Sequence, residues 1–206
     1  NHIMMLISEP NNLDFDFVVS SLRDGQTIVY PTETCYGLGC DATNEAAVNQ
    51  IFAIKQRPLV KPLLVVGADA GMMMDYVEWG TTLEALANKY WPGPLTVVAP
   101  IKVGVRLPTG IIGPANTLAF RVTSHPIAAE ISRRLGKPIV STSANLADLG
   151  SPYDGAAVIA MFQNSEPKPD IIIDAGELPY RSPSTIVKIL NGKVAVLRQG
   201  EVVVEL

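Results

Sequence analysis

The chain has 206 residues, of which 48% are hydrophobic and 17% charged, enough apolar material for a buried core and too little charge for a disordered segment. Its net charge of −4 excludes nucleic-acid binding by bulk electrostatics, since proteins that bind that way are basic as a whole. Cys35 and Cys40 are the only cysteines and do not form a CxxC, so they read as two reduced thiols rather than a redox pair or metal site.

Residues 1–3, ahead of two methionines, read as a cloning remnant. That sets His2 aside, leaves His125 as the native histidine and makes 4–206 a single expected domain. With one imidazole, neither a histidine metal cluster nor a Ser-His-Asp triad is supported. The apolar stretch 4–7 is too short and lacks the basic flank of a signal peptide, and no apolar run approaches membrane-spanning length. A cytoplasmic protein without membrane contact is expected.

The first strand is predicted at 26–30 (QTIVY), β-branched and closed by Pro31. Behind it comes PTETCYGLG, 31–39. Gly37, Gly39 and Ala42 nominally fit G-x-G-x-x-A, but a dinucleotide fingerprint opens at once after its strand and here six residues intervene. A helix is predicted over 44–55, with Ala47, Val48, Ile51 and Ile54 at helical spacing, Asn44 as N-cap and Pro58 as stop. At its end Lys55, Arg57 and Lys61 fall within seven residues between proline brackets. Cations there complement the helix dipole; a rigid connection carrying Arg and Lys also suits a polyphosphate.

A buried strand is predicted at 62–67, a helix at 82–91 stopped by Pro92-Gly93, and strands at 95–100 and 117–123. In the last of these Arg121 should point away from the face carrying Phe120. The stretch 126–135 begins with proline and ends at Gly136, the usual helix asymmetry. A short strand at 137–141 runs into Ser141-Thr142-Ser143-Ala144-Asn145. This is a polar turn, or a set of donors at the carboxyl end of a strand, where open α/β sheets place ligands. A helix over 154–162 and strands over 171–174, 184–190 and 194–198 complete the chain, the last two joined by the hairpin signal Asn191-Gly192. Ser184 and Arg198 stand at the ends of that hairpin. Alternating strands and helices with one antiparallel pair give an α/β fold with a mixed sheet.

Taken in order, PTETCYGLG, KQRP with KPLLVV, WPGPLT, LAFRV with SHPIA, STSAN, and PSTIV with VLRQG resemble the YrdC/TsaC family of threonylcarbamoyl-AMP synthases. The matching pieces run from Pro31 to Gly200. The resemblance implies a single-domain twisted mixed sheet with flanking helices and a concave surface, similar to dihydroxybutanone-phosphate synthase. It implies a nucleotidyltransferase that makes threonylcarbamoyl-adenylate and pyrophosphate from L-threonine, bicarbonate or CO2, and ATP. Mg2+ enters through the ATP phosphates, and a separate complex passes the group to tRNA. Carried over by position, Lys55, Arg57 and Lys61 are catalytic phosphate contacts. Thr117, Ser143, Asn145, Ser151 and Arg198 are further ATP contacts. Thr32, Thr34, Arg121, Ser141 and Ser184 belong to the threonine site, with Arg121 facing the carboxylate.

Two positions depart from longer members, which have Asn where Lys61 stands and His where this chain has Val66. The extra C-terminal domain of those members is expected to be absent. The rival readings are an RNA-binding module (tRNA or double-stranded RNA) or translation-associated factor without catalysis, and a related adenylate-forming enzyme on the same fold using another amine.

Overall fold

Strand β2 (Ile28–Pro31) is buried at all four positions, as a run with no polar face requires. Its alternate residues serve two different cores: Val29 joins one cluster, Ile28 and Tyr30 the other. That alternation explains the architecture of this computed structural model, which describes residues 6–59, 61–146 and 149–205. The expected remnant at 1–3 lies outside the described residues.

The strands divide between two mixed sheets. In the first, β1 (Leu6–Ser8) and β10 (Ile171–Ile173) run parallel to β2, while β3 (Tyr36–Gly39) and β9 (Thr142–Ser143) continue it antiparallel. In the second, the order is β12 (Lys193–Arg198), β11 (Thr185–Leu190), β5 (Leu95–Pro100), β7 (Thr117–Val122), β4 (Val65–Gly67) and β8 (Ile139–Val140), with β6 (Ile112–Gly113) paired to β7. The Asn191-Gly192 hairpin forms as predicted, with Asn191 and Gly192 both at positive φ.

The larger core joins Val29 and Leu38 of the first sheet to Val65, Val97 and Phe120 of the second. Helices α2 (Glu45–Lys55), α3 (Ala70–Met74), α4 (Thr81–Tyr90) and α6 (Gly155–Gln163) contribute Ile51, Met73, Leu83 and Phe162 to it. The smaller core is closed by α1 (Phe15–Arg23) and α5 (Pro126–Leu135), whose Val18, Leu22, Ala128 and Ile131 pack on Ile28, Tyr30, Val66 and Ile139.

The predicted caps hold. Asn44 Oδ1 accepts from the Ala47 amide at 3.0 Å, and Gly136 ends α5 at φ 74°. The sequence reading misses α1, although Asp14 caps it by accepting from the Phe17 amide at 3.0 Å and Val18 and Leu22 stand at helical spacing. Strand β3 is missed for a different reason. Two of its four residues are glycines, which weaken a strand as judged by propensity, but a Cβ on Gly39 would lie 2.1 Å from the Val140 carbonyl oxygen. The predicted strand 62–67 shortens to β4 because Leu63 spends its amide on the Gly110 carbonyl at 2.8 Å, not on a sheet neighbour.

Candidate functional site

A cavity of about 340 Å3 opens between the turn that joins β2 to β3, the inner row of β7, the segment around β9 and the start and end of the β11–β12 hairpin. That volume suits a small molecule. Thr32, Thr34, Arg57, Arg121, Ser141, Ser143, Ser151, Ser184 and Arg198 line it, so residues spread over 167 positions of the sequence meet at one place. The wall also holds Leu63, Leu64 and Ile186 as an apolar side, and among the described residues it contains no aspartate or glutamate.

The turn carrying Thr32 is tied by its own hydroxyl. Thr32 Oγ donates to the Cys35 carbonyl at 2.7 Å and accepts from the amides of Thr34 and Cys35 at 3.2 and 3.3 Å. Thr34 Oγ stands 3.0 Å from it. Glycine at 37 keeps the facing strand close: a Cβ there would lie 3.3 Å from both Ser141 Oγ and the Tyr30 ring.

Arg121 projects from β7 on the face opposite Phe120, as its alternation predicts, and is buried. Its Nε donates to Glu33 Oε1 at 2.8 Å, and Thr123 Oγ donates to Glu33 Oε2 at 2.5 Å. Burial by itself would raise the Glu33 carboxyl, but the Arg121 charge and the Thr123 and Arg121 hydrogen bonds hold it below its ordinary range. Glu33 is missed by the sequence reading. Its only signal there is a carboxylate set between two threonines of a strand-end motif.

Arg57 donates from Nη2 to the Lys61 carbonyl at 3.2 Å, and its Nε is buried with no hydrogen-bond partner among the described residues. Arg198 donates from Nε and Nη2 to the Ser184 carbonyl at 3.2 and 2.8 Å, and Ser184 Oγ lies 2.9 Å from Thr96 Oγ. Burial lowers both guanidinium pKa values, and the Arg121 charge adds to the effect at Arg198. Among the described residues neither arginine forms an ion pair, whereas Arg121 does.

Four expected contacts stand elsewhere. Lys55 is buried at the end of α2, behind the wall. Its Nζ donates to the Ser143 carbonyl at 2.6 Å and to the Asn145 carbonyl and Oδ1 at 2.9 Å each. An ammonium has three hydrogens, and here they are directed to the 143–145 segment, which they clasp. Asn145 is consumed in the same way. Its Oδ1 also accepts from Ser143 Oγ at 2.7 Å, and its Nδ2 donates to the carbonyls of Leu149 and Gly150. The clasp therefore reaches Ser151 through the backbone next to it. Lys61 is exposed and outside the cavity. Thr117 lies on the Arg121 face of β7 but donates to the Pro114 carbonyl at 2.9 Å and does not line the cavity. Val66 packs in the smaller core.

Burial pushes the Lys55 ammonium down to about 8, with the Arg57 charge adding to it. Burial pushes the Cys35 thiol up, so it is not a ready thiolate. Among the described residues no group of three or more His, Cys, Asp or Glu side chains could hold a metal ion. Chemically, the cavity offers three guanidinium groups, one of them paired through its Nε with Glu33, and a ring of hydroxyls, an arrangement for anions.

The Sua5/YciO/YrdC family model, described as telomere recombination, matches residues 20–200. The structure of P. abyssi Sua5 complexed with L-threonine is 32% identical and superposes with a TM-score of 0.85, over 96% of this chain and 57% of that one. The chain thus spans little more than half the length of that relative. E. coli YciO is 26% identical, with a TM-score of 0.80 over 96% of this chain and 95% of that one. A full-length HypF in its phosphate- and nucleotide-bound form, 20% identical with a TM-score of 0.78, shares the fold over 91% of this chain and 29% of its own.

Proposed function

The chain belongs to the Sua5/YciO/YrdC family, and from that premise we propose that it is an L-threonylcarbamoyladenylate synthase. The observation that carries the reading is the cavity wall: Arg57, Arg121 and Arg198 with serine and threonine hydroxyls, and no carboxylate among the described lining residues. Such a wall suits a substrate set that is anionic throughout, namely an amino-acid carboxylate, a carbamate and a triphosphate. The relative complexed with L-threonine supports the amino-acid half.

In this reading L-threonine's free amine first adds CO2 and gives up a proton to solvent, leaving a carbamate anion. A carbamate oxygen then attacks the α-phosphorus of ATP, the bond to the bridging oxygen breaks, and pyrophosphate leaves. The nucleophile belongs to the substrate, so the protein needs no activated side chain. Its part is positioning and charge stabilisation. The Nη edge of Arg121 takes the threonine carboxylate. Arg57, which carries a buried unpartnered Nε, and Arg198 take the developing negative charge on the phosphates. Thr32, Thr34 and Ser141 fix the amino acid, and Ser143 and Ser151 flank the nucleotide. Lys55 and Asn145 hold the segment that presents Ser143. Mg2+ arrives with the ATP, and the adenylate product goes on to a transfer complex acting on tRNA.

The test is pyrophosphate release from ATP, Mg2+ and bicarbonate with and without L-threonine. Release that depends on threonine is the expected result. Release that ignores threonine would remove the amino-acid half of the reading, and no release from folded protein would remove both halves.

A further inference from the structure

We propose that Glu33 sorts anions inside the cavity: it sets Arg121 to receive a monovalent carboxylate and keeps polyphosphate away from that end. The inference rests on the reading above, in which one cavity takes both an amino acid and a nucleotide.

Of the three arginines in the wall, only Arg121 has a carboxylate partner among the described residues. The side chains of Arg121 and Glu33 are 4% and 10% exposed, so water does little to screen them. Both Glu33 oxygens are seated, one on Arg121 Nε at 2.8 Å and the other on Thr123 Oγ at 2.5 Å. Glu33 therefore cannot swing toward a ligand.

Two consequences follow for Arg121. The first is orientation. A guanidinium is planar with donors in a fixed fork, so anchoring Nε sets the plane and leaves the Nη edge for an incoming group. No hydrogen bond among the described residues occupies that edge. A two-oxygen carboxylate fits it in bidentate fashion. The second is charge. The Arg121–Glu33 pair is net neutral, while Arg57 and Arg198 carry their charges against neutral oxygens only: the Lys61 carbonyl for one, the Ser184 oxygens for the other. The repulsion a ligand meets from Glu33 scales with the ligand's own charge. It is small for an amino-acid carboxylate and several-fold larger for a triphosphate. A repulsive group at one subsite is an ordinary means of specificity, and here it directs phosphates to Arg57 and Arg198.

The test is calorimetric titration of the full chain with L-threonine and, separately, with inorganic pyrophosphate. The proteins compared are wild type, Glu33→Gln and Glu33→Asp. Gln keeps the reach and loses the charge; Asp keeps the charge and loses the reach. Threonine should bind about tenfold more weakly to both variants, the scale of one weakened charge-assisted hydrogen bond. Pyrophosphate should bind about tenfold more tightly to Glu33→Gln alone, since that variant alone removes the repelling charge. Unchanged affinities in Glu33→Gln, or a gain in pyrophosphate affinity equal in both variants, overturn the proposal. If Glu33→Gln does not fold, the wild type decides the matter. Saturating pyrophosphate should shift its threonine dissociation constant less than twofold, and strict competition between the two ligands overturns the sorting. A wild type that binds no threonine would instead remove the synthase reading, while the pyrophosphate comparison would still decide the role of Glu33.

Discussion

Arg57 buries an Nε–H without a partner among the described residues, and a buried polar group left unpaired costs about 1–3 kcal/mol. Arg57 also lines the cavity, with no carboxylate partner among the described residues. Arg57→Ala should therefore lower threonine-dependent pyrophosphate release by about 10²–10³-fold, the range for removing one preorganised charge-stabilising donor. Circular dichroism and thermal unfolding should show an unchanged fold; normal turnover would take Arg57 out of the site. Lys55 gives the opposite lesson. Its residue type pointed to phosphate, but its position places it on the buried side of α2, one turn after Ile51, and there it satisfies three neutral oxygens. Burial, then Arg57, depress its pKa from 10.5 to about 8. Below pH 8 the ammonium is charged in the folded and the unfolded chain, so the cost of burying it is present in full. Between about 8 and 10.5 the folded chain sheds the proton first, the unfolded chain binds more protons, and stability from this group rises with pH. Urea unfolding of wild type and Lys55→Met across that window should show the rise in wild type and its absence in the variant. Parallel curves would place the titration elsewhere.

At the scale of elements, the site depends on how closely β3 approaches β8. Gly39 faces the Val140 carbonyl at a distance that leaves a Cβ 2.1 Å from the oxygen, and Tyr30 closes the other side at 2.8 Å. The neighbour is backbone, so it cannot rotate out of the way. Gly39→Ala should destabilise the protein by about 3 kcal/mol, the upper end for overpacking a buried position, read as a fall in the urea midpoint at constant slope. A cost under ~0.5 kcal/mol, the level of a neutral surface change, would mean that the two strands are free to separate. The same packing sets the position of the Thr32 turn against Arg121, because Glu33 spans from that turn to β7. Element identity was legible where caps and periods agreed, as with α2, α5 and the closing hairpin. It failed where a tertiary constraint replaced propensity. The glycines of β3 are there for clearance, and Leu63 is drawn out of the predicted strand by the Gly110 carbonyl.

At the scale of the molecule, the two sheets bring together segments that have nothing local in common. The turn after β2, the end of α2, the inner row of β7, the β9 segment and the closing hairpin meet at one cavity. If that cavity binds ATP and L-threonine, both ligands should stabilise the folded chain. Each should add about 2.7 kcal/mol at a concentration of 100 times its dissociation constant, measured as a rise in Tm. Pyrophosphate should give part of the ATP effect through Arg57 and Arg198. No shift with either substrate would argue against the cavity as their site.

The sequence by itself determined the caps, the hairpin, the alternation that puts Arg121 opposite Phe120, and the short ordered motifs that carry the family resemblance. All of these are local, set by backbone preference and by spacing along the chain. Only the tertiary structure decided which cations line the cavity. Lys55, Arg57, Arg121 and Arg198 are alike in charge, and nothing in their sequence neighbours says which is spent. Three neutral oxygens from the 143–145 segment occupy Lys55 behind the wall, a carboxylate 88 positions earlier in the chain holds the Nε of Arg121, and Arg57 and Arg198 line the cavity with no carboxylate partner among the described residues. The partners that settle the matter for Lys55 and Arg121 are remote in sequence and close in space, because electrostatics and hydrogen bonding depend on distance through the fold and not along the chain.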